Sequence, residues 1–126
     1  MKRRILIVDD QPGIRLLLTD VFLSEGYEVS VATTGIEALK KTQNHSFDLI
    51  LLDYRLPIIN GVEVIKQMMQ DNNETPVILM SGLIEGLREE LLHRKDGLAI
   101  VSKPFNIKDL RELANSLITI EEESVN

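Results

Sequence analysis

Four short apolar runs recur along the chain: Ile5-Leu6-Ile7-Val8, Leu49-Ile50-Leu51-Leu52, Val77-Ile78-Leu79-Met80 and a weaker Leu98-Ala99-Ile100-Val101. Their hydrophobicity is continuous rather than alternating, which suits strands covered on both faces, as in a parallel sheet. Glu28-Val29-Ser30-Val31-Ala32 alternates polar and apolar residues and predicts an edge strand with one face more exposed. Between the runs, apolar residues return at helical spacing. Ile14, Leu17, Leu18, Val21 and Phe22 mark a first helix, Ile36, Ala38 and Leu39 a second, and Val62, Val64, Ile65, Met68 and Met69 a third. Leu87, Leu91 and Leu92 mark a fourth, and Ile107, Leu110, Leu113, Ala114 and Leu117 a fifth. Gly26, Gly35 and Asn60-Gly61 fall where caps and turns are needed.

The rhythm is strand then helix, five times over. Strands separated by helices of this length join as parallel βαβ crossovers, which are right-handed almost without exception. The expected fold is therefore α/β: a doubly wound (βα)5 unit around a five-stranded parallel sheet. By analogy with flavodoxin-like folds the strand order is 2-1-3-4-5, with ligands taken in the crevice at the carboxyl ends of the strands. The 126 residues suffice for one domain with its own core. We place that domain at residues 1–120 and read the acidic tail 121–126, Glu121-Glu122-Glu123-Ser124-Val125-Asn126, as frayed and solvated.

Charge and composition narrow the function. The 14 basic and 20 acidic residues give a net charge of −6, which opposes attraction to a nucleic-acid backbone, so direct nucleic-acid binding is not expected. Lys2-Arg3-Arg4 reads as a solvated lead-in to the first strand. No apolar stretch approaches a membrane span, and the first apolar run meets Asp9-Asp10 before a secretory segment could form. With no cysteine in the chain, a cytoplasmic location is expected, without a membrane role.

Candidate chemistry appears at the strand ends. Asp9-Asp10 follows the first strand, Asp53 the third, Ser81 the fourth and Lys103-Pro104 the fifth. Each residue singly has an ordinary explanation in a cap, a turn or the surface. In a parallel sheet, however, all these ends converge on the ligand crevice. Three carboxylates brought together repel one another by about 4 kcal/mol per pair at about 4 Å and an effective dielectric of about 20. Lys103 answers part of that charge, and a hard divalent ion with oxygen ligands, Mg²⁺ rather than Zn²⁺, suits the balance. There is no cysteine, and His45 and His93 lie far from these strand ends and read as surface. A carboxylate beside Mg²⁺ and a lysine can attack phosphorus to give an aspartyl phosphate, with the Ser81 hydroxyl donating to a transferred oxygen. Asp53, alone at the end of the central strand, is the expected nucleophile, and the adjacent Asp9 and Asp10 are suited to holding the ion.

Ile7-Val8-Asp9-Asp10-Gln11, Leu51-Leu52-Asp53, Leu56-Pro57 with Asn60-Gly61, Met80-Ser81-Gly82 and Ser102-Lys103-Pro104-Phe105 resemble the response-regulator receiver family, whose fold is CheY-like. The similarity covers roughly residues 4–118. Carried over residue by residue, it implies Asp53 as phosphoacceptor, Asp10 as a direct Mg²⁺ ligand, Asp9 as a ligand through water and the Arg55 carbonyl as a further ligand. It implies Ser81 as the switch hydroxyl, Lys103 as the phosphoryl-sensing cation and a histidine kinase or histidine phosphotransferase as donor. Such a chain is a phosphoacceptor protein in a two-component system rather than an enzyme, either a monomer or a weak phosphorylation-dependent dimer. Within the family, Asp9-Asp10-Gln11 with Gly13-Ile14-Arg15, Leu17-Leu18 and Val21-Phe22 looks like the single-domain phosphorelay intermediates of sporulation initiation. That likeness makes Gln11, Gly13, Ile14, Leu17, Pro104 and Phe105 candidate docking residues for a four-helix phosphotransferase. For Ile14 and Leu17 helical spacing serves a core-facing role equally well.

Two positions depart from the family pattern. Ile100 stands where an aromatic or histidine usually switches rotamer, so it reads instead as core of the last strand, with any output movement carried by the segment beginning near Gly82 and Gly86. Met80-Ser81-Gly82 replaces the more frequent Thr-Ala, with a serine hydroxyl able to do the same work. Arg55 and Leu83, which the resemblance puts at the mouth of the site, are expected to slow self-dephosphorylation by obstructing hydrolytic water. Among rivals, an aspartate phosphohydrolase needs a second acid two residues after the nucleophile, where Arg55 stands, and no Gly-rich nucleotide loop follows the first strand. Two rivals keep the fold: a receiver-like interaction module that is never phosphorylated, and a receiver domain cut from a larger regulator with an effector domain.

Overall fold

Five strands, β1 (Arg4–Val8), β2 (Glu28–Ala32), β3 (Leu49–Asp53), β4 (Val77–Ser81) and β5 (Leu98–Ser102), form one sheet in the order β2-β1-β3-β4-β5. Every pairing is parallel. The structure is a computed structural model that describes residues 2–82 and 97–125. Its helices are α1 (Pro12–Ser24), α2 (Gly35–Asn44), α3 (Gly61–Gln70) and α4 (Ile107–Val125). The helix expected around Leu87, Leu91 and Leu92, together with Leu83, Gly86 and His93, lies outside the described residues.

The continuous apolar runs behave as expected, because successive side chains of a strand go to opposite faces and here both faces are covered. Leu6, Val8, Ile50, Leu52, Val77 and Leu79 pack with Ala38 of α2 and Val62, Val64, Ile65 and Met68 of α3. Their neighbours Ile5, Ile7, Leu49, Leu51, Ile78 and Met80 pack with Leu18 and Phe22 of α1 and Leu110, Ala114 and Ile118 of α4. Burying one such side chain contributes about 1.5–3 kcal/mol. β2 is an edge strand, as its alternation predicts, with Val31 exposed.

Local signals set the element ends. The Thr34 hydroxyl accepts the Glu37 amide at the start of α2, and Asn60 and Glu63 form a reciprocal capping box on α3. Gly26 leaves α1 at φ 90°, a backbone region that glycine enters without steric penalty. At the other end of the chain, α4 runs through Glu121, Glu122 and Glu123 to Val125, where a frayed tail was expected. Glutamate is a good helix former and neither Gly nor Pro interrupts this stretch, so propensity carries the helix on. Among the described residues no helix is long and apolar enough to cross a membrane.

The register brings the chemistry to one edge. Val8 pairs with Leu52, Leu52 with Leu79 and Leu79 with Ile100, so the residues that follow leave the sheet together. Asp53 pairs with Met80 one step further on, and the Lys103 amide donates to the Ser81 carbonyl at 2.8 Å.

Candidate functional site

Asp9, Asp10 and Asp53 offer carboxylate oxygens that lie within 4.8 Å of one another. Asp9 is fully buried and Asp53 is 5% exposed, whereas Asp10 is open to solvent. Lys103 bridges the two buried acids, with Nζ 3.3 Å from Asp9 Oδ2 and 3.1 Å from Asp53 Oδ1. Ser81, 2% exposed, ends β4 beside them. The structure thus brings together all five residues that strand-end position singled out.

Each acid stands in a different environment. The Asp9 carboxylate is engaged on both oxygens, accepting the Gln11 amide at 2.9 Å on Oδ1 and Lys103 on Oδ2. Its main-chain carbonyl accepts Arg15 Nη1 at 2.9 Å. The Asp10 carboxylate, among the described residues, accepts no hydrogen bond. Burial, then the nearby Asp9 charge, pushes the Asp53 carboxyl above its ordinary range, and Lys103 and the Arg55 amide, which donates to it, offset only part of that rise. Burial pulls Lys103 downward, but the hydrogen bond and charge of Asp53, followed by those of Asp9, outweigh it and hold the ammonium above its ordinary value. The result is a fixed cation facing a carboxylate that is costly to ionise.

Asp53 is held from behind by α3. The Gly61 amide donates to the Tyr54 carbonyl at 2.8 Å, and a Cβ at Gly61 would lie 2.7 Å from the Asp53 carbonyl oxygen and 2.8 Å from Leu79 Cδ1. Only glycine lets the start of α3 approach this closely. In the sequence Asn60-Gly61 reads as a turn and cap, and the close approach could not be seen there because it depends on the Cα path of β3.

These residues fit a hard divalent cation. Three hard oxygen donors converge, the acids repel one another by about 3–4 kcal/mol per pair at this spacing and an effective dielectric of about 20, and one ammonium leaves negative charge over. Asp10 has both oxygens to give, whereas Asp9 and Asp53 each already accept two protein donors. The Arg55 backbone borders the site through its amide.

The docking candidates surround this edge. Gln11, Gly13 and Pro104 are exposed, and Leu17 is 43% exposed. Ile14 and Phe105 are half-buried against the core face beneath α1 and α4. The ambiguity of helical spacing thus resolves differently for two neighbours, Ile14 packing on the core and Leu17 facing solvent. Ile100 packs against the α2–α3 side of the sheet, as the core reading expects. Arg55 is exposed beside Asp53, and Leu83 lies outside the described residues. An open polar cleft of about 690 Å³ at the opposite edge of the sheet, between the segments that lead into β3 and β4, contains none of the residues of this constellation.

Comparison with known proteins adds a lineage to the geometry. Residues 5–115 match the family model of the response regulator receiver domain. The chain is 35% identical over 123 residues to the sporulation initiation phosphotransferase F of Bacillus subtilis, covering 96% of this chain and 98% of that protein. A CheY-like receiver domain protein from Methanospirillum hungatei superposes with a TM-score of 0.91 at 31% identity, covering 98% of this chain and 99% of the other. The response regulator TrrA of Thermotoga maritima, solved in complex with Mg²⁺ and BeF, superposes with a TM-score of 0.78 at 34% identity over 91% of this chain and 98% of the other.

Proposed function

The chain belongs to the response regulator receiver family, and from that premise we propose that it accepts a phosphoryl group on Asp53 from a phosphohistidine donor, a histidine kinase or a histidine phosphotransferase, in the manner of a phosphorelay intermediate. The observation that carries this reading is the Lys103 ammonium bridging Asp9 and Asp53 at 3.3 and 3.1 Å, with the exposed Asp10 completing a cluster of three acids.

One Asp53 carboxylate oxygen attacks phosphorus in line, the phosphorus–nitrogen bond to the donor imidazole breaks, and the leaving nitrogen takes the electron pair and then a proton. Lys103, already within hydrogen-bond distance of Asp53, neutralises charge on the transferred oxygens, and the Ser81 hydroxyl donates to one of them. Asp10 and Asp53, with Asp9 through water and the Arg55 carbonyl, would hold Mg²⁺, which when bound supplies further neutralisation of the phosphoryl charge. The protein acts here as a phosphoacceptor, not as a turnover enzyme. Its cytoplasmic placement beside such donors follows from the same reading.

Gln11, Gly13, Leu17 and Pro104 offer an exposed rim around the acceptor, with Ile14 and Phe105 set behind it, for a helical phosphotransferase. Support for this donor comes from the similarity to a sporulation phosphotransferase along nearly the whole chain. The Arg55 side chain at the mouth is expected to hinder hydrolytic water, so the phosphorylated protein should persist for minutes or longer without partners; decay within seconds contradicts that role. The test of the whole reading is transfer of a radiolabelled phosphoryl group from a phosphorylated histidine phosphotransferase. Label is expected to move onto this chain only with Mg²⁺ present and to be lost under alkaline conditions, as an acyl phosphate would be; alkali-stable label, or transfer undiminished by chelator, contradicts it.

A further inference from the structure

The Arg15 guanidinium donates from Nη1 to the main-chain carbonyl of Asp9 at 2.9 Å. That carbonyl sits just past the end of the β1–β2 register, whose last pair is Val8 with Ala32. Asp9 is fully buried, so its carbonyl depends on the protein for a donor. Arg15 itself stands at a costly position. It lies at the start of α1, where the helix dipole disfavours a cation, and the first turn contains no acidic residue to compensate. What compensates is the acceptor it reaches, at the foot of a cluster of three carboxylates.

The carbonyl belongs to the peptide unit that links Asp9 to Asp10. Because that unit is planar and rigid, fixing its oxygen fixes the nitrogen and Cα of Asp10 as well. On the same turn the Gln11 amide and Lys103 occupy the two oxygens of the Asp9 carboxylate and the Asp9 amide donates to the Ala32 carbonyl, so Asp9 is tied at four points while the Asp10 carboxylate is left unengaged toward the site. We propose that Arg15 is a positioning residue that clamps the Asp9–Asp10 peptide and thereby presents the Asp10 carboxylate to the divalent cation.

This inference rests on the proposed phosphoacceptor reading and deepens it. Two effects of Arg15 oppose each other. Its charge repels a divalent cation, whereas its clamp organises the cation's ligands. Loss of an outer partner that orients a metal ligand typically weakens metal affinity about 10–100-fold, and with the guanidinium bound to a carbonyl and partly open to screening water, the clamp outweighs the repulsion.

The experiment is a Mg²⁺ titration of the full chain, followed through the NMR amide shifts of residues 9–11 and 53–55, for wild type, Arg15→Met, Arg15→Lys and the core control Ile65→Val. Arg15→Met is expected to bind Mg²⁺ about 10-fold more weakly or worse, Arg15→Lys to recover part of the loss, and Ile65→Val to match wild type despite its lower stability. Arg15→Met binding as tightly as wild type, or more tightly, overturns the inference and leaves the proposed function standing. If Arg15→Met fails to fold, Arg15→Lys decides the matter: several-fold weaker binding supports the clamp, and unchanged affinity overturns it. A wild type that does not bind Mg²⁺ overturns the functional reading and this inference with it.

Discussion

Burial and the neighbouring Asp9 charge both push the Asp53 carboxyl upward, so the folded protein holds that proton more tightly than the unfolded chain does. The contribution of this group to stability therefore declines as pH rises from its ordinary value of 3.8 through the raised folded value. Lys103 has the opposite sense: its raised value contributes stability below the ordinary 10.5, and that contribution is lost as pH climbs through the folded value. Asp53→Asn, which resembles the protonated acid, is accordingly expected to raise the melting temperature of the metal-free protein at neutral pH, with the gain shrinking toward acid; thermal denaturation with chelator at several pH values would check this, and a lower melting temperature at neutral pH would refute it. Gly61 sets a second constraint at the same spot, since a Cβ there would overlap the Asp53 carbonyl and Leu79. Gly61→Ala should cost about 1–3 kcal/mol in urea unfolding and displace the Asp53 backbone, and an alanine tolerated without loss would show that α3 can withdraw freely.

At the scale of elements, the strands were the most legible part of the chain because being covered on both faces leaves a continuous apolar run that no alternating surface strand imitates. The site was legible for the same reason: once the strands are parallel, their carboxyl ends share an edge, and Asp9, Asp10, Asp53, Ser81 and Lys103 follow. Helix faces were less legible. Ile14 and Leu17 both satisfy helical spacing, yet one packs on the core and the other is 43% exposed. The role of Arg15 was hidden because it acts on a main-chain carbonyl, for which a sequence has no symbol; its only trace is a cation placed against the dipole of α1. Gly13 shows what an element can be asked next. It lies in the first turn of α1, exposed, with nothing within 4 Å of an added Cβ, so no internal contact requires glycine. Gly13→Ala should stabilise the fold by roughly 0.5–1 kcal/mol while slowing phosphoryl transfer from a helical donor if that donor's backbone approaches closely here. A stabilised variant with unimpaired transfer would remove Gly13 from the docking rim.

For the whole molecule, the doubly wound sheet does two separable things. Its two apolar faces hold the strands, and its carboxyl edge collects charges that the faces could not accommodate. Family membership adds that this architecture is shared with receiver domains across most of the chain, including one solved with Mg²⁺ and BeF. The α4 extension past Glu121 replaces the frayed end that the acidic tail suggests, and Ile100 packs as core where the family pattern has an aromatic or histidine: good helix formers continue a helix, and an aliphatic residue on a sheet face packs. The central claim is that Asp53 is the phosphoacceptor, and the most direct measurement is the intact mass of wild type and Asp53→Asn after incubation with acetyl phosphate and Mg²⁺. A gain of one phosphoryl group by wild type alone is the expected result, whereas the same gain in both proteins would place the phosphoryl group elsewhere and contradict the claim.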